Sequence, residues 1–438
     1  MIDKKIMIKQ LRSLVSTAYG CTEIGLIGYA VASCTNLVAR PCNSAIYKKI
    51  IVEVSPFIYK NVFRVGVPNL GVCGIKMIVA ASAMIADPKR KLEIFATVTP
   101  KQKLEAKKLI NNDKVVIKIA KNVNPVYARA MVTTNDNVTI ESLVSHYHDY
   151  IVYIKKNDRY IVNNGIKEIK QKQTSELKQL DKITFADIMQ FVKSCTVKDL
   201  NYLNEISEIN MRIANYGIVN VIPDSFTENY LKTMDNDSSL YQRIILNTAA
   251  AIDARMNGAT LPVATSCGSG DHGLTSTIPQ YQLYIHRKIP YLRYLQSLAL
   301  VNFVVWMIKK NIGHLSAFCG SVIAAVPATL AGLAYQLGMN SKKIDNIISS
   351  VLCSNALCVC DGAKSSCTHK ISTALISGLR IFDMVDKGYC VKPRDGIIAS
   401  SALSTIKIFK KISNDNLTTL NNSIIESIIK IDKQKHKK

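Results

Sequence analysis

The sequence predicts an α+β N-terminal part with a small mixed sheet, followed by a large all-α helical domain. Two observations lead to this fold class. Short segments that are β-branched or alternate apolar and polar residues lie in the first 165 residues, and long stretches with apolar residues three and four apart fill the rest. The turn-forming sequence Asn163-Asn164-Gly165 separates them. We therefore place an α+β N-terminal domain at residues 1–165 and an all-α domain at residues 166–438.

The N-terminal domain is expected to open with a helix from Lys5 to Ala39. Further helices are expected from Val72 to Ala86 and from Lys101 to Asn111. Alternating or β-branched segments with Asn- and Asp-containing turns between them predict five strands. These are Ile50 to Val54, Val115 to Ile119, Val126 to Thr133, Val138 to Val144 and Tyr150 to Lys155. Helices placed between strands in this way are typical of an α+β arrangement.

After residue 165 the apolar spacing predicts eight helices. They are Asp181 to Ser194, Thr196 to Ala214, Asp235 to Ala254, Tyr291 to Lys309, Ser316 to Leu337, Ser341 to Leu357, Lys364 to Lys387 and Ile397 to Lys411. Ser341 and Asp361 are residue types that cap helix N-termini, and we expect them to do so here. No internal repeat of fixed period is visible.

The composition is that of a globular chain with reduced cysteines. With 438 residues and 48% hydrophobic content, the chain can build one large core or two to three domains. Its 12 cysteines are scattered through apolar surroundings, and the N-terminus from Met1 to Lys5 lacks the continuous apolar core of a signal peptide. We therefore expect a cytoplasmic protein with free thiols.

The net charge of +24 raises the question of nucleic-acid binding. Most of this charge is lysine spread along the chain, with clusters at Lys101 to Lys121, Lys167 to Lys178 and Lys433 to Lys438. No zinc finger, RNP-like aromatic motif or basic helix followed by heptads accompanies these clusters. We expect a solvated lysine-rich surface and no nucleic-acid partner.

Two apolar runs are long enough to raise the question of membrane spans. Ser316 to Gly338 carries no charged residue, and Tyr294 to Ile308 is a second run. The first consists largely of small residues and contains Pro327, while the second is short and contains polar residues. Because small residues at helical spacing let helices pack closely, we expect buried core helices and no membrane association.

Three cysteines carry the most chemical information. Cys360 and Cys367 close the segment Cys360-Asp-Gly-Ala-Lys-Ser-Ser-Cys367, and Cys319 ends the upstream segment His314-Leu-Ser-Ala-Phe-Cys319. A structural zinc site uses four ligands, often in closely spaced pairs, whereas three thiolates from separated segments suit an iron–sulfur cluster with one iron open to substrate. Cys358 is expected to be a core residue, because residues two apart on one helix point to different faces.

Two further segments have the residue types needed for chemistry. In Gly20-Cys21-Thr22-Glu23 a thiol stands beside a hydroxyl and a carboxylate, although an inert buried cysteine remains an alternative. The second segment runs from Asp253 to Pro262 and continues into the glycine-rich loop Ser266-Cys-Gly-Ser-Gly-Asp-His-Gly273.

This loop formally matches the dinucleotide-binding pattern G-x-G-x-x-G. A dinucleotide site also needs an acidic residue about twenty positions later, and no Asp or Glu lies between Asp271 and Asp345. The dinucleotide interpretation therefore fails. The backbone N–H groups around Ser269 and Gly270 can instead converge on a substrate carboxylate, while an ordinary tight turn remains the alternative.

Taken together, these motifs resemble the L-cysteine desulfidase family, which is related to the iron–sulfur L-serine dehydratases. The matching segments occur in the same order over nearly the whole chain. They are Gly20-Cys-Thr-Glu23, Asp253-Ala-Arg-Met256, Gly258-Ala-Thr-Leu-Pro262, Gly268-Ser-Gly270, Leu315-Ser-Ala-Phe-Cys-Gly320, Cys360-Asp-Gly-Ala-Lys364 and Cys367. The sequence departs from the family at Ile24, where proline is usual, and carries Cys267 and Asp271 in the glycine loop.

The resemblance implies a [4Fe-4S] cluster held by Cys319, Cys360 and Cys367, and a proton-accepting role for Cys21. The helix that carries Cys21 is then expected to pack at the active site, with Thr22 as a substrate-binding neighbour. His148 is the candidate match for a histidine that the family tends to place at a strand end before Thr-Asn, although Asp149 and Tyr150 follow it here.

The implied reaction is α,β-elimination of L-cysteine to pyruvate, ammonia and sulfide. L-cysteine would bind the open iron through its carboxylate while a base removes the α-proton. Lys364 and Lys370 could also hold a carboxylate, or act as ordinary solvated or capping charges. L-serine dehydratase or a related amino-acid lyase is the first alternative, and a non-catalytic iron–sulfur sensor is the second. The expected partner is a small amino-acid substrate, with a homo-oligomer possible.

Overall fold

A computed structural model describes residues 2–165, 179–235, 237–313, 315–356 and 358–435. The basic cluster from Lys167 to Lys178, His314 and Leu357 lie outside the described residues. Within the described ranges, helices predominate and a six-stranded mixed sheet lies in the N-terminal part.

The described strands form three sheets. They are β1 Val15–Tyr19, β2 Tyr47–Val54, β3 Gly66–Val67, β4 Val72–Cys73, β5 Val115–Ile119, β6 Tyr127–Thr134, β7 Thr139–Ser145, β8 Ile151–Lys156, β9 Arg159–Asn163 and β10 Pro262–Ser266.

The described α-helices are numbered in chain order. They are α1 Lys4–Leu14, α2 Thr22–Thr35, α3 Pro56–Val62, α4 Ile75–Ile85, α5 Pro100–Asn111, α6 Phe185–Ser194, α7 Val197–Leu200, α8 Tyr202–Val219, α9 Phe226–Leu231, α10 Leu240–Met256, α11 Gly270–Arg287, α12 Tyr291–Ile312, α13 Val326–Gln336, α14 Ser341–Ser354, α15 Cys367–Asp386 and α16 Ala402–Lys435. One π-helical turn, Ser321–Ala325, leads into α13.

The six-stranded sheet has the order β5-β2-β6-β7-β8-β9. Strands β2 and β5 are parallel, and the other neighbours are antiparallel. All five strands expected from the sequence lie in this sheet, and its exposed edge strand β9 is the one member of the sheet that was not expected. Helix α2 packs against β6 and β7, where the Ser142 hydroxyl donates to the Ala30 carbonyl at 2.6 Å. The sheet therefore supports the helix that begins beside Cys21.

The expected continuous helix from Lys5 to Ala39 is wrong, because strand β1 interrupts it. β1 pairs antiparallel with β10, so that Val15 lies opposite Ser266 and Tyr19 opposite Pro262. The chain then turns at Gly20, whose φ of +69° is the left-handed conformation that favours glycine. A Cβ there would also lie 2.8 Å from Pro68 Cγ. This turn places Cys21 directly before α2.

A two-stranded sheet thus joins the N-terminal part to the helical part. Its second strand, β10, was not expected in a region that the apolar spacing assigned wholly to helices. Pairing with β1 satisfies its backbone, and Ala18 and Val263 are fully buried where the strands face each other. The contact brings the Cys21 segment and the glycine loop together, because each directly follows one of the two strands.

Helix α12 lies at the centre of the helical part. It is the one described helix that is long and apolar enough to cross a membrane, and 78% of its apolar window is buried inside the fold. It packs against α11, α13 and α16. Most residues of both apolar runs, including Val304 and Leu330, are core residues, whereas Leu337 near the end of the first run is 47% exposed.

Buried Asp253, on α10, links this helix to the starts of α9 and α15. It accepts hydrogen bonds from the Thr227 N–H at 3.0 Å, the Thr227 hydroxyl at 2.6 Å and the Thr368 hydroxyl at 2.5 Å. Thr368 directly follows Cys367, so this contact fixes the start of α15. The expected caps are not the caps observed, since Asn340 caps α14 and Ser366 precedes α15.

Candidate functional site

Five cysteines line one cavity of the described structure, which we call the thiol cavity. They are Cys21, Cys267, Cys319, Cys360 and Cys367. Four of these, Cys21, Cys319, Cys360 and Cys367, are the cysteines predicted from the sequence to act together, and Cys21 lies 298 residues before Cys319. All twelve cysteines of the chain are free thiols.

Cys319 and Cys360 are positioned by a short antiparallel bridge between Phe318 and Val359. The Cys319 N–H donates to the Cys358 carbonyl at 2.8 Å, and the Cys360 N–H donates to the Ala317 carbonyl at 2.7 Å. The expected helix from Ser316 therefore begins later, after Cys319. The N–H groups of Val322 and Ile323 donate to the Cys319 carbonyl, so this cysteine stands at the N-terminal end of the helical segment.

Cys367 is the first residue of α15, and the loop before it packs tightly on α3. Gly362 in this loop has φ +99°, and a Cβ there would lie 2.2 Å from the Lys60 carbonyl oxygen. The Lys60 ammonium donates to the Cys360 carbonyl at 2.8 Å and to Asn421 Oδ1 at 2.8 Å. Contacts with both the side chain and the backbone of Lys60 thus fix the loop that carries two of the cysteines against the N-terminal part.

The helix argument for Cys358 is wrong, because this segment is extended. In the antiparallel bridge Cys358 lies opposite Cys319, and the two thiols are close enough to hydrogen-bond. This hydrogen bond and burial raise the pKa of the Cys319 thiol. Cys358 is therefore a direct neighbour of a proposed ligand, although Cys360 and not Cys358 lines the thiol cavity.

Cys21 lies directly before α2 without a side-chain capping bond, and its thiol belongs to a short hydrogen-bond network around Glu23. The Cys21 thiol donates to Glu23 Oε2 at 2.6 Å, and the Thr22 hydroxyl donates to the same oxygen at 3.0 Å. The Asn61 amide donates to Glu23 Oε1 at 2.8 Å. Cys21 and Glu23 are both buried, at 2% and 7% exposure, so this network faces the cavity and not bulk solvent.

In the Cys21 and Glu23 pair, the proton lies on the Cys21 sulfur and Glu23 is ionised. Burial, followed by the negative charge of Glu23, raises the pKa of the Cys21 thiol well above its usual value. For Glu23, burial favours the neutral acid, but His148 and the hydrogen bonds from Cys21 and Asn61 outweigh burial and lower its pKa. Cys21 at rest is therefore a protonated thiol beside a carboxylate that can accept its proton.

His148 lies in the same cavity, close to Glu23. Its buried Nε2 has no hydrogen-bond partner among the described residues. Burial lowers the pKa of His148, and the charge of Glu23 opposes this effect. A histidine ring nitrogen without a partner, close to the Glu23 carboxylate, is a second group here that can exchange a proton.

The glycine loop connects β10 to α11, so a strand precedes it and a helix follows it. This strand belongs to a two-stranded antiparallel sheet and not to a βαβ unit, which agrees with the exclusion of a dinucleotide site. Cys267 adopts a left-handed φ of 50°. Two N–H groups of the loop are engaged internally, since Cys267 donates to the Leu14 carbonyl and Ser269 to the Ser266 carbonyl.

The three expected substrate-binding residues lie in different positions. Ser269 lines the thiol cavity, whereas Thr22 and Gly270 are not among its described lining residues. The Thr22 hydroxyl donates a hydrogen bond to the Glu23 carboxylate. Gly270 packs on Arg255, and a Cβ at Gly270 would lie 2.5 Å from Arg255 Nε. Contact between substrate and any of the three stays a prediction.

Charged groups at the base of the cavity are largely paired. Arg255 is 4% exposed and donates to Asp271 Oδ1 at 2.6 Å and to the Gly20 carbonyl at 3.1 Å. This ion pair spans the end of α10 and the start of α11, and its second bond holds the turn before Cys21. Lys309, on α12, is 2% exposed and also lines the cavity.

His272 stands beside Lys309 with a defined tautomer. Its Nδ1 lies 3.2 Å from the Ser266 carbonyl oxygen, so Nδ1 carries the proton and Nε2 the lone pair. Burial, followed by the charge of Lys309, lowers the pKa of His272 to about 3. The imidazole is therefore neutral at physiological pH.

Lys364 and Lys370 both pair with Asp361 in this structure. Lys364 Nζ lies 2.5 Å from Asp361 Oδ1, and Lys370 contacts the same oxygen as well as the Val359 carbonyl at 3.1 Å. These contacts favour a structural role for the two lysines, which brace the loop between Cys360 and Cys367. Asp361 is thus an ion-pair partner and not the helix cap expected from the sequence.

The three cysteines expected to be cluster ligands all line the thiol cavity. Among the described residues, no group of three His, Cys, Asp or Glu side chains surrounds one metal-ion position. A cluster binds each cysteine through a different iron, so its thiolates line a cavity without converging on one point. Cys319, Cys360 and Cys367 do line one cavity. The hydrogen bond with Cys358 and burial raise the pKa of Cys319, and burial raises the pKa of Cys360 and Cys367, so each would lose its proton on binding a metal.

Sequence reasoning missed Lys309, Lys60 and Asn61, and it gave Arg255 no role. Lys309 and Lys310 end an apolar helical run, and helical periodicity places one of two adjacent lysines toward the core. The burial of Lys309 could therefore have been predicted from the sequence. Lys60 and Asn61 lie in an ordinary short helix, and only the fold brings them to the cavity.

Comparison with known proteins gives a family for most of the chain. A model of the serine dehydratase alpha chain matches residues 89–426. Similar full-length proteins include a UPF0597 protein of Photobacterium profundum, 28% identical over 95% of this chain and 96% of the relative, and one of Caldanaerobacter subterraneus, 27% identical over 98% and 99%. A UPF0597 protein of Methanocella arvoryzae is 28% identical over 98% and 99%. These names state no substrate or cofactor.

The tight contact at Gly362 generates a first prediction. Gly362→Ala should lower the free energy of unfolding by about 2 kcal/mol more than Gly388→Ala. Both glycines have nearly the same φ, +99° and +96°, but only Gly362 has backbone within reach of the new Cβ, since nothing lies within 4 Å at Gly388. Urea unfolding of the two variants measures the difference. Equal losses would show that the loop does not depend on its contact with Lys60.

Proposed function

This chain belongs to the serine dehydratase alpha chain family, and we propose that it is a [4Fe-4S]-dependent L-cysteine desulfidase. The proposed reaction is α,β-elimination of L-cysteine to pyruvate, ammonia and sulfide. One observation carries the proposal. Cys21, from the N-terminal part, lines the same cavity as Cys319, Cys360 and Cys367, so a candidate base faces a candidate cluster site.

In this proposal Cys319, Cys360 and Cys367 hold the cluster as thiolates. When bound, the cluster supplies an open iron that acts as a Lewis acid toward the substrate. The buried ammonium groups of Lys60 and Lys309 favour negatively charged ligands at Cys319 and Cys360, since both lysines interact electrostatically with these two cysteines. The bridge at Phe318 and the Gly362 loop keep the ligands in place.

The Cys21 and Glu23 pair handles the α-proton of the substrate. Because the resting thiol is protonated, it must first transfer its proton to Glu23 Oε2, 2.6 Å away, before sulfur can act as a base. The donors Thr22 and Asn61 hold the carboxylate in position for that transfer. His148 can serve as a second proton acceptor in the cavity.

L-serine dehydratase is the second candidate function. It is favoured by the family model, which describes the serine dehydratase alpha chain. A non-catalytic iron–sulfur sensor accounts for the three ligands but leaves the Cys21 and Glu23 network without a role. The free thiols fit the proposed cytoplasmic location, and the proposed ligand is a small amino acid and not a nucleic acid or a membrane.

The role of Cys21 gives a second prediction. Cys21→Ser should keep the iron content and absorption spectrum of the wild-type protein while turnover falls by roughly a hundredfold or more, the usual scale for loss of a general base. Anaerobic purification followed by a pyruvate assay measures both quantities. Near-normal turnover would remove Cys21 from the mechanism.

Cys34→Ser is the matched control for this experiment. Cys34 is buried on the same helix, α2, and its thiol contacts the Ala130 carbonyl at 3.6 Å outside the cavity. We expect it to keep both iron and turnover. Loss of iron in the Cys21 variant alone would instead assign Cys21 as a fourth ligand.

Substrate choice gives a third prediction. Sulfide and pyruvate should form in equal amounts from L-cysteine, and L-serine should react at least roughly tenfold less efficiently by kcat/KM, a gap of about 1.4 kcal/mol. Thiolate is the better leaving group and the softer ligand for iron. D-cysteine should be inert, because its α-proton faces away from Cys21. A serine rate equal to or above the cysteine rate would favour the dehydratase.

A further inference from the structure

The cations that line the thiol cavity differ in their partners. Arg255 is paired with Asp271 and the Gly20 carbonyl, and Lys60 donates to the Cys360 carbonyl and to Asn421. Lys309 is the exception, since its ammonium makes no hydrogen bond or ion pair with any residue that the structure describes. Among these three, Lys309 is thus the cation whose whole charged group lacks a described partner, whereas Arg255 leaves only its Nε unpaired.

Lys309 is also deeply buried. It is 2% exposed, and it lies beside Cys267, Cys319 and Cys360. A Cβ at position 320 would lie 3.3 Å from Lys309 Nζ and 2.4 Å from His272 Nε2. Because residue 320 is glycine, both side chains can approach its backbone. A buried ammonium is stabilised by anions beside it, and a bound carboxylate is such an anion in addition to the proposed thiolates of Cys319 and Cys360.

One of the loop N–H groups expected to bind a carboxylate, that of Ser269, donates instead to the Ser266 carbonyl. Lys309 therefore offers a substrate carboxylate in the cavity a full positive charge that the loop does not have.

Building on the proposed function, we propose that Lys309 anchors the α-carboxylate of the amino-acid substrate. A carboxylate has two oxygens, so an ammonium on one side leaves the other side open to a second electrophile. The anchor fixes the substrate against α12, on a helix that the core holds almost completely buried. Lys309 is then the residue that selects α-amino acids over their uncharged derivatives.

Binding of L-alanine tests this proposal without turnover, because L-alanine has the same head group and no leaving group. Wild-type protein, purified anaerobically with its iron, should bind L-alanine more tightly than L-alaninamide, which lacks the negative charge. In Lys309→Met the affinity for L-alanine should fall about tenfold or more and this preference should disappear. Calorimetry measures both ligands.

Lys310→Met is the matched control. Lys310 is the next residue on α12, but its ammonium donates to the Leu180 carbonyl at 2.9 Å, away from the thiol cavity. This variant should keep the wild-type preference. Lys309→Gln, which also removes the charge, gives the same comparison if the methionine variant does not fold.

The outcomes separate this inference from the proposed function. Wild-type preference for L-alanine in an iron-loaded Lys309→Met protein would overturn the anchor, whether or not the wild type degrades L-cysteine. Loss of iron from both the Met and Gln variants would assign Lys309 to charge balance at the cluster and would also overturn it. A wild type that shows the expected preference but no turnover of L-cysteine or L-serine contradicts the proposed function alone.

Discussion

The convergence of helix N-termini on one buried cavity is the constraint on which the rest of the site depends. The starts of α2, α11, the helical segment after Cys319 and α15 all contribute lining residues. Each carries a partial positive charge, and Lys60, Arg255 and Lys309 add three cations against the carboxylates of Glu23 and Asp271. Such a cavity favours anionic ligands, and both the proposed thiolate-bound cluster and a substrate carboxylate are anionic.

This convergence requires both parts of the chain. The pairing of β1 with β10 brings the start of α2 to the start of α11, and the Arg255 bond to the Gly20 carbonyl fixes the turn between them. The packing of the Gly362 loop on Lys60 then fixes the cysteine loop against the same N-terminal part. The candidate base and the candidate ligands therefore depend on contacts between distant segments.

The local elements of the fold follow from the sequence, but the assembly of the site does not. Alternation at residues such as Ala128 and Ala130 predicted the sheet, and apolar spacing predicted the core helices. β1 and β10 were missed because each is stable only through pairing with a segment about 250 residues away. Cys358 was misjudged since an extended bridge replaced the expected helix, and Lys309 was missed because its burial depends on tertiary packing.

Iron content in single-cysteine variants tests the central claim most directly. After anaerobic purification, replacing Cys319, Cys360 or Cys367 with alanine should each abolish the iron and the visible absorption of the wild-type protein. Cys353→Ala, which removes a thiol from α14 outside the thiol cavity, should retain both. Iron at wild-type stoichiometry in the Cys360→Ala protein would contradict the account.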